Sequence, residues 1–229
     1  MRTIFFDLDG VLLDTEPLYR RFWKEAAAEC GYTIKDEEAL SLRSLDATLS
    51  RAWFREKYGT DIYDTVREMR KKLMEEYRAG NPITAKQGAA EVLKEIDRTK
   101  RPYYIVTASP LSRVERYTKD AGLSLDPSRV ISTKTVSRGK PYPDVYLEAL
   151  RLAGCSADEA IAVEDSPNGI KSAKAAGLFT VMIPDLTSPT EEDKLYCDIV
   201  LENISGILSL ELIADHALSV DRPFLDFKK

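Results

Sequence analysis

The sequence contains little cysteine, a single histidine and no long apolar segment. Cys30, Cys155 and Cys197 are odd in number and widely spaced, which argues against a disulfide framework and against a metal-ligand pattern. Reduced thiols in a cytoplasmic protein are therefore expected. The chain enters the apolar stretch Thr3–Phe6 without a charged leader or a cleavage site, and no apolar run approaches membrane-spanning length. We expect neither export nor a membrane-embedded segment.

The sequence also lacks an excess of positive charge. Its 33 lysines and arginines and 38 acidic residues give a formal net charge of −5 at pH 7. Broad binding to nucleic acid or to an anionic membrane needs a basic face, so neither partner is expected. A small phosphorylated metabolite remains compatible with this charge, because a metal ion and one or two lysines can reverse the potential locally. A monomer is expected.

The 229 residues, 44% hydrophobic and 31% charged, are enough for one substantial core with a smaller lobe. Short β-rich runs alternate with segments of helical periodicity. The predicted strands are Thr3–Phe6, Tyr103–Thr107, Arg129–Ser132, Ala160–Glu164, Thr180–Pro184 and Asp198–Leu201, and the predicted helices include Gly88–Lys100, Ser112–Ala121, Pro143–Ala153 and Asn168–Ala176. This alternation predicts an α/β fold whose core is a doubly wound, Rossmann-like parallel sheet.

Residues 15–82 interrupt this pattern, because they contain no convincing strand and show helical periodicity. Apolar residues such as Ile62 and Val66 recur there at steps of three and four, which is typical of helix packing. We interpret the segment as an inserted α-helical cap, with residues 1–14 and 83–229 forming the core. Two chain crossings would then connect the lobes as a hinge.

Two carboxylates and a glycine follow the first predicted strand, at Asp7, Asp9 and Gly10. Ligands gather at the carboxyl ends of parallel strands, and Asp7 would place its carboxylate there. Gly10 permits a tight turn with free backbone N–H groups, which suits a phosphoryl oxygen. A calcium loop would need more oxygen ligands before its glycine. A solvated acidic turn is the simpler alternative.

Two further segments carry groups that can bind phosphate. Thr107, Ala108 and Ser109 follow the second predicted strand and offer hydroxyl and backbone donors. Lys140 lies between a glycine and a proline, just before a predicted helix, so the stiff loop restricts the positions that its ammonium can reach. The alternatives are a turn or helix-cap threonine and an ordinary solvated lysine.

The fourth segment is an apolar run that ends in Glu164 and Asp165. Magnesium prefers hard oxygen ligands and retains water. Asp7, the backbone carbonyl of Asp9 and Asp165 could therefore form a Mg²⁺ site, with Glu164 nearby or acting through water. The same acids could instead cap the next helix.

These four motifs resemble, in kind, order and spacing, those of the haloacid dehalogenase superfamily. The sequence Asp-Leu-Asp-Gly-Val-Leu-Leu-Asp-Thr-Glu-Pro at positions 7–17, with Gly-Lys-Pro at 139–141 and Glu-Asp-Ser at 164–166, is most similar to the β-phosphoglucomutase-like phosphatase branch. Members of this branch insert a helical cap directly after the first motif, where the strand-free segment lies. The resemblance covers essentially the whole predicted core.

The resemblance implies a magnesium-dependent phosphatase that hydrolyses a sugar phosphate-like metabolite through an aspartyl phosphate. Asp7 would be the nucleophile and Asp9 the acid/base. The remaining roles would fall to Thr107 and Lys140 in the phosphate site and to Glu164 and Asp165 at the metal end. A carboxylate at Asp9 also favours phosphate-ester chemistry over cleavage of carbon–halogen or carbon–phosphorus bonds.

A sugar-phosphate mutase and a catalytically silent binding protein are the alternatives on the same fold. Mutases of this branch commonly carry a histidine shortly after the Asp-Thr pair, where this chain has Tyr19; its histidine is His216. Arg43 keeps the mutase possible, because it could lie on a cap loop that reaches a second phosphate. The four retained motifs argue against a silent protein.

Overall fold

Short apolar segments form a parallel β-sheet through the centre of the molecule. The computed structural model describes residues 2–210 and the backbone of residues 225–226. The strands are β1 (Thr3–Phe6), β2 (Tyr103–Thr107), β3 (Val130–Ser132), β4 (Ala160–Glu164), β5 (Phe179–Met182), β6 (Ile199–Val200) and β7 (Leu225–Asp226). They lie in the order β3-β2-β1-β4-β5-β6-β7, with every neighbouring pair parallel. β1 therefore lies between β2 and β4.

Helices cover both faces of this sheet. They are α1 (Glu16–Glu29), α2 (Asp36–Ser41), α3 (Ala47–Tyr58), α4 (Tyr63–Arg78), α5 (Ala89–Arg98), α6 (Leu111–Asp120), α7 (Asp144–Ala153) and α8 (Pro167–Ala175). Ile4 and Phe6 of β1 belong to one buried cluster with Ile96 of α5, whereas Phe5 belongs to a second cluster with Tyr146 of α7. Successive side chains of β1 thus enter opposite layers, as the pleat requires. The doubly wound α/β fold is confirmed.

The helices α1 to α4 form the insertion between β1 and α5. They share an aromatic cluster in which the rings of Trp23 and Phe54 lie 5.9 Å apart and those of Phe54 and Tyr63 lie 5.8 Å apart. Val66 is fully buried in this cluster, and Ile62 packs partly buried against it. The periodic residues are therefore helix-packing residues, and the insertion is a helical cap.

The structure differs from the sequence predictions mainly at the edge of the sheet that contains β5, β6 and β7. β5 ends before Pro184, whose nitrogen has no hydrogen for strand pairing. β6 contains two residues, fewer than predicted, and the two-residue β7 is too short to be recognised from an apolar pattern. Among residues 2–210, no helix has both the length and the apolar character needed to cross a membrane.

Candidate active site

The four predicted motifs meet at the carboxyl ends of β1, β2 and β4. Asp7 follows β1, and its backbone N–H donates to the carbonyl of Val163, which holds it beside β4. The Lys140 Nζ atom lies 2.6 Å from Asp7 Oδ1 and 2.6 Å from Glu164 Oε1, and it donates to the Val106 carbonyl at 3.1 Å. Lys140 is fully buried. The ends of three strands therefore fix the position of one ammonium group.

Three carboxylates, Asp7, Glu164 and Asp165, form what we call the acidic cluster. Each has an oxygen within 4.8 Å of an oxygen of the other two, and all three side chains are buried. Within residues 2–210, Asp7 Oδ2, Glu164 Oε2 and both oxygens of Asp165 lack a hydrogen-bond partner. Buried carboxylate oxygens without partners are costly. A divalent cation would supply the missing charge and ligation.

The pKa values of the site reflect this excess of negative charge. Burial, opposed by Lys140 and reinforced by Glu164 and Asp9, raises the pKa of Asp7 to about 8. Burial also raises the pKa of Asp165 well above its usual range. Burial alone would lower the pKa of Lys140, but Asp7 and Glu164 outweigh it, so the ammonium remains charged. One lysine does not balance the acidic cluster.

Two glycines allow the acidic cluster to be this compact. Gly10 has φ +85°, and a Cβ atom there would lie 2.4 Å from Asp165 Oδ2. A Cβ on Gly169 would lie 1.9 Å from Glu164 Oε2. The N–H of Gly10 itself donates to the Leu13 carbonyl at 2.9 Å, so any free N–H of the predicted turn belongs to another residue. Gly10 is needed for space beside Asp165.

Asp9 lies beside the acidic cluster with both carboxylate oxygens hydrogen-bonded. Thr15 Oγ1 donates to Asp9 Oδ1 at 2.7 Å, and Ser109 Oγ donates to Asp9 Oδ2 at 2.9 Å. Both side-chain oxygens thus have partners, which leaves the backbone carbonyl as the predicted metal contact. Thr107 is fully buried and its hydroxyl accepts the Ser109 N–H at 3.0 Å. Thr107 therefore shapes the loop that places Ala108 and Ser109 on the cavity.

Arg43 is buried in the loop that follows α2, beside the acidic cluster. Its Nη1 lies 3.8 Å from Asp165 Oδ2, Nη2 donates to the Thr187 hydroxyl at 3.0 Å, and Nε donates to the Leu40 carbonyl at 3.2 Å. Arg43 is thus a buried side chain whose guanidinium adjoins the acidic cluster and lines the cavity.

Two residues of this region were not predicted from the sequence. Glu16, at the start of α1, is buried, and burial together with Asp9 raises its pKa to about 8. Tyr146 of α7 donates a short hydrogen bond to Glu164 Oε1. Glu16 lies in the Asp-Thr-Glu-Pro segment that resembles the family motif, so the sequence contained a signal for it. Tyr146 reaches Glu164 only through the tertiary packing of α7, so the sequence contained none. Glu16 is therefore a further buried carboxyl group whose charged form is disfavoured by Asp9.

A cavity of 130 Å³ opens above these residues, between the core and the cap. Asp9, Glu16 and Arg43 line one side of it. Lys140 lines the cavity as well, together with four further cations that we call the basic cluster: Arg67, Arg70, Arg113 and Lys134. These four were not predicted from the sequence, because each lies outside the four motifs.

The cap lies directly against the Gly139–Lys140 segment and α8 of the core. The Asp46 N–H donates to the Lys140 carbonyl at 2.8 Å, and the Gly139 N–H donates to Asp46 Oδ2 at 2.8 Å. The side-chain amide of Asn168 donates to the Arg43 carbonyl at 2.8 Å. The structure therefore has the cap closed over the cavity.

Known proteins resemble this chain in sequence and in fold. The sequence model for haloacid dehalogenase-like hydrolases matches residues 1–177. Hexitol phosphatase A of Escherichia coli is 31% identical over 204 residues, which cover 88% of this chain and 91% of that protein. CbbY of Rhodobacter sphaeroides, solved in complex with xylulose-(1,5)bisphosphate, is 26% identical with a TM-score of 0.74, covering 89% of this chain and 95% of that one. A Pseudomonas syringae hydrolase, 22% identical with a TM-score of 0.80 over 93% of this chain and 99% of that one, shares the fold.

Proposed function

Because the chain belongs to the haloacid dehalogenase-like hydrolase family, we propose that it is a magnesium-dependent phosphatase that hydrolyses a small phosphorylated metabolite through an aspartyl phosphate. The observation that carries the proposal is the arrangement at Asp7, where one oxygen is held by Lys140 and the other has no partner in residues 2–210. The likeness to hexitol phosphatase A and to CbbY supports a sugar or polyol phosphate as substrate.

The acidic cluster fits a magnesium ion. Asp7 Oδ2, Glu164 Oε2 and the Asp165 carboxylate supply buried oxygen atoms without other partners in the described chain, and hard oxygen ligands are what Mg²⁺ prefers. We propose that the backbone carbonyl of Asp9 is a further ligand. When bound, Mg²⁺ would neutralise the carboxylates and reduce their repulsion of a phosphoryl group.

Asp7 and Asp9 divide the chemistry between them. An oxygen of Asp7 attacks phosphorus and forms a bond to it, while the bond from phosphorus to the leaving oxygen breaks and Asp9 gives that oxygen a proton. Water then attacks the same phosphorus, Asp9 takes a proton from it, and Asp7 is regenerated as phosphate leaves. The hydroxyls of Thr15 and Ser109 can donate or accept, so they can hold Asp9 in either protonation state.

Other residues hold the phosphate and exclude water. Lys140 keeps Asp7 in place and provides positive charge next to the attacking oxygen. Ala108 and Ser109 line the cavity and would bind the transferred phosphoryl group, with Arg43 beside Asp165. We propose that residues 15–82 form the cap domain, whose closure through Asp46 keeps bulk water from the first step.

A screen of phosphorylated sugars and polyols with Mg²⁺ tests this function. Released phosphate and isomerised sugar phosphate are measured together, in the wild type and in Asp7→Asn. We expect phosphate release in the wild type and a loss on the order of 10⁴-fold or more in Asp7→Asn, because the attacking group is removed. The variant should keep the circular dichroism spectrum of the wild type.

Asp158→Asn is the matched control, since Asp158 is exposed and lies before β4, at the opposite edge of the sheet from the acidic cluster. It should hydrolyse the same substrates at the wild-type rate. Isomer formation without comparable phosphate release would replace the phosphatase by a mutase. Full activity in Asp7→Asn would remove the nucleophile assignment, and inactivity on every compound would favour a binding protein.

A further inference from the structure

The basic cluster, Arg67, Arg70, Arg113 and Lys134, is not explained by the proposed hydrolysis of one phosphate ester. We propose that the substrate carries a second anionic group, which binds the basic cluster while the scissile phosphate lies at the acidic cluster. This proposal rests on the proposed function and narrows its substrate class to compounds such as sugar or polyol bisphosphates and phosphorylated sugar acids.

The basic cluster is assembled from three separate parts of the fold. Arg67 and Arg70 are three residues apart on α4 of the cap, so their side chains lie on one face of the helix. Arg113 comes from α6 of the core, and Lys134 from the short turn Thr133–Thr135 after β3. All four line the same cavity, so cap and core place positive charge around one space.

Arg70 is the strongest sign that a ligand is expected there. Its side chain is only 8% exposed, and its Nε has no hydrogen-bond partner within residues 2–210. Its guanidinium lies 4.3 Å from the ring centre of Trp23 and 4.9 Å from that of Tyr19, which orients it without neutralising it. A buried cation without a carboxylate is unfavourable unless an anion binds.

The other members of the basic cluster are also short of negative charge. Arg113 donates to two neutral hydroxyls, those of Tyr19 at 3.3 Å and Ser109 at 3.5 Å. Arg67 pairs with Glu68 at 3.6 Å, but the Glu68 side chain is 63% exposed, so this pairing is weak. Burial lowers the pKa of Lys134, and the charges of Arg67 and Arg113 lower it further. These cations therefore repel one another, and a bound anion would reduce the repulsion.

The two clusters are close enough for one small molecule to reach both. Ser109 Oγ donates to Asp9 Oδ2 at 2.9 Å and accepts from Arg113 Nη1 at 3.5 Å, so a single hydroxyl lies between the proton-transfer residue and the basic cluster. Asp9 and the four residues of the basic cluster line the same cavity, so the linker between the two anionic groups needs to be only short. A chain of sugar or polyol length is therefore suitable.

Three related substrates test the proposal: a hexitol 6-phosphate, the corresponding hexitol 1,6-bisphosphate and a hexonate 6-phosphate. We expect kcat/KM for phosphate release to be about tenfold or more higher for the doubly anionic compounds, since one charge-assisted contact contributes about that factor. A preference for the bisphosphate alone assigns the cluster to phosphate, and a preference for the hexonate alone assigns it to carboxylate.

Variants of the basic cluster connect this preference to its residues. Arg67→Gln and Lys134→Gln should each lower the ratio of kcat/KM between the preferred compound and the hexitol 6-phosphate by about fivefold to tenfold, mainly through KM. Arg67→Lys should restore part of the ratio. Lys72→Gln is the matched control, because Lys72 lies on the same helix, is 67% exposed and faces Glu76; its ratio should equal that of the wild type.

Two results would overturn the proposal. One is phosphate release from all three compounds with equal kcat/KM, which would leave the proposed phosphatase intact. The other is a preference that survives in Arg67→Gln and in Lys134→Gln, because the second anion would then bind elsewhere. Absence of release from these compounds and from the whole panel would instead refute the proposed function itself.

Discussion

The acidic cluster holds Lys140, which lines the cavity, and the basic cluster lines the same cavity. The first is short of positive charge and the second is short of negative charge. Asp7, Glu164 and Asp165 are buried with one lysine among them, whereas Arg70 is buried with aromatic rings as its neighbours. Each set of like charges costs free energy that a ligand of opposite charge would recover. We therefore propose that the site takes a cation at the acidic cluster and an anion at the basic cluster.

The two clusters also differ in the parts of the fold that carry their residues. The acidic cluster lies on the ends of β1 and β4, fixed by the ladder and by close contacts at Gly10 and Gly169. The basic cluster has two residues on the cap, and its geometry changes whenever the cap moves. Precision is needed where bonds are made and broken, while movement is needed where substrate enters. This division suggests chemistry at the rigid side and recognition at the movable side.

The largest expected effect that tests this division is that of Asp9→Asn. The amide cannot transfer a proton, so kcat should fall by about 10² to 10⁴-fold while KM stays within a few-fold of the wild type. Steady-state kinetics on the best substrate measure both values. A large rise in KM with kcat preserved would contradict the division, because Asp9 would then serve recognition.

The acidic cluster alone predicts an effect of Mg²⁺ on stability. Binding at 100 times the dissociation constant stabilises the folded state by about 2.7 kcal/mol, which corresponds to a rise in Tm of about 5 to 10 °C for a chain of this size. Differential scanning calorimetry with Mg²⁺ and with a chelator measures it. The measurement needs no substrate, so its result does not depend on which metabolite the protein hydrolyses.

Asp165→Asn is the comparison for this measurement. Removing one of three repelling carboxylates should make the metal-free variant at least as stable as the metal-free wild type, and its gain from Mg²⁺ should be largely lost. Asp158→Asn should retain the full gain. If Asp165→Asn responded to Mg²⁺ like the wild type, the ion would bind outside the acidic cluster.

The acidic cluster could be predicted from the sequence, because its residues end apolar strands and parallel strands converge at one edge. Asp7, Lys140, Glu164 and Asp165 meet as that rule requires. The hydrogen bond from the Gly10 N–H to the Leu13 carbonyl could not be predicted in the same way, since it depends on how the turn closes. Local patterns indicate which residues approach each other but not which donor remains available.

The basic cluster could not be predicted, because nothing in its local sequence separates it from a solvated helix face. Arg67 and Arg70 lie among many charged residues of α4, and the burial of Arg70 depends on how α4 packs against Tyr19 and Trp23 of α1. Lys134 and Arg113 approach them only through the tertiary fold. A helix with arginines at steps of three is usually exposed, so the sequence favours the ordinary interpretation.

The smallest expected effect concerns the cost of Arg70 in the unliganded protein. Arg70→Met keeps the apolar contacts with Tyr19 and Trp23 and removes a buried charge, whose desolvation costs several kcal/mol and exceeds about 2 kcal/mol of cation–π attraction. We expect a net stabilisation of about 1 kcal/mol, a rise in Tm of about 2 to 4 °C. Thermal melts without ligand measure it.

Arg51→Met is the matched control for that measurement, because Arg51 also lies over a ring, that of Tyr63 at 5.2 Å, but is 36% exposed and paired with Asp64. Replacing Arg51 by methionine should leave Tm unchanged or lower it slightly. A lower Tm for Arg70→Met than for Arg51→Met would mean that Arg70 is already compensated without an anion. The basic cluster would then not be short of negative charge, and its cations would stabilise the fold instead of binding an anion.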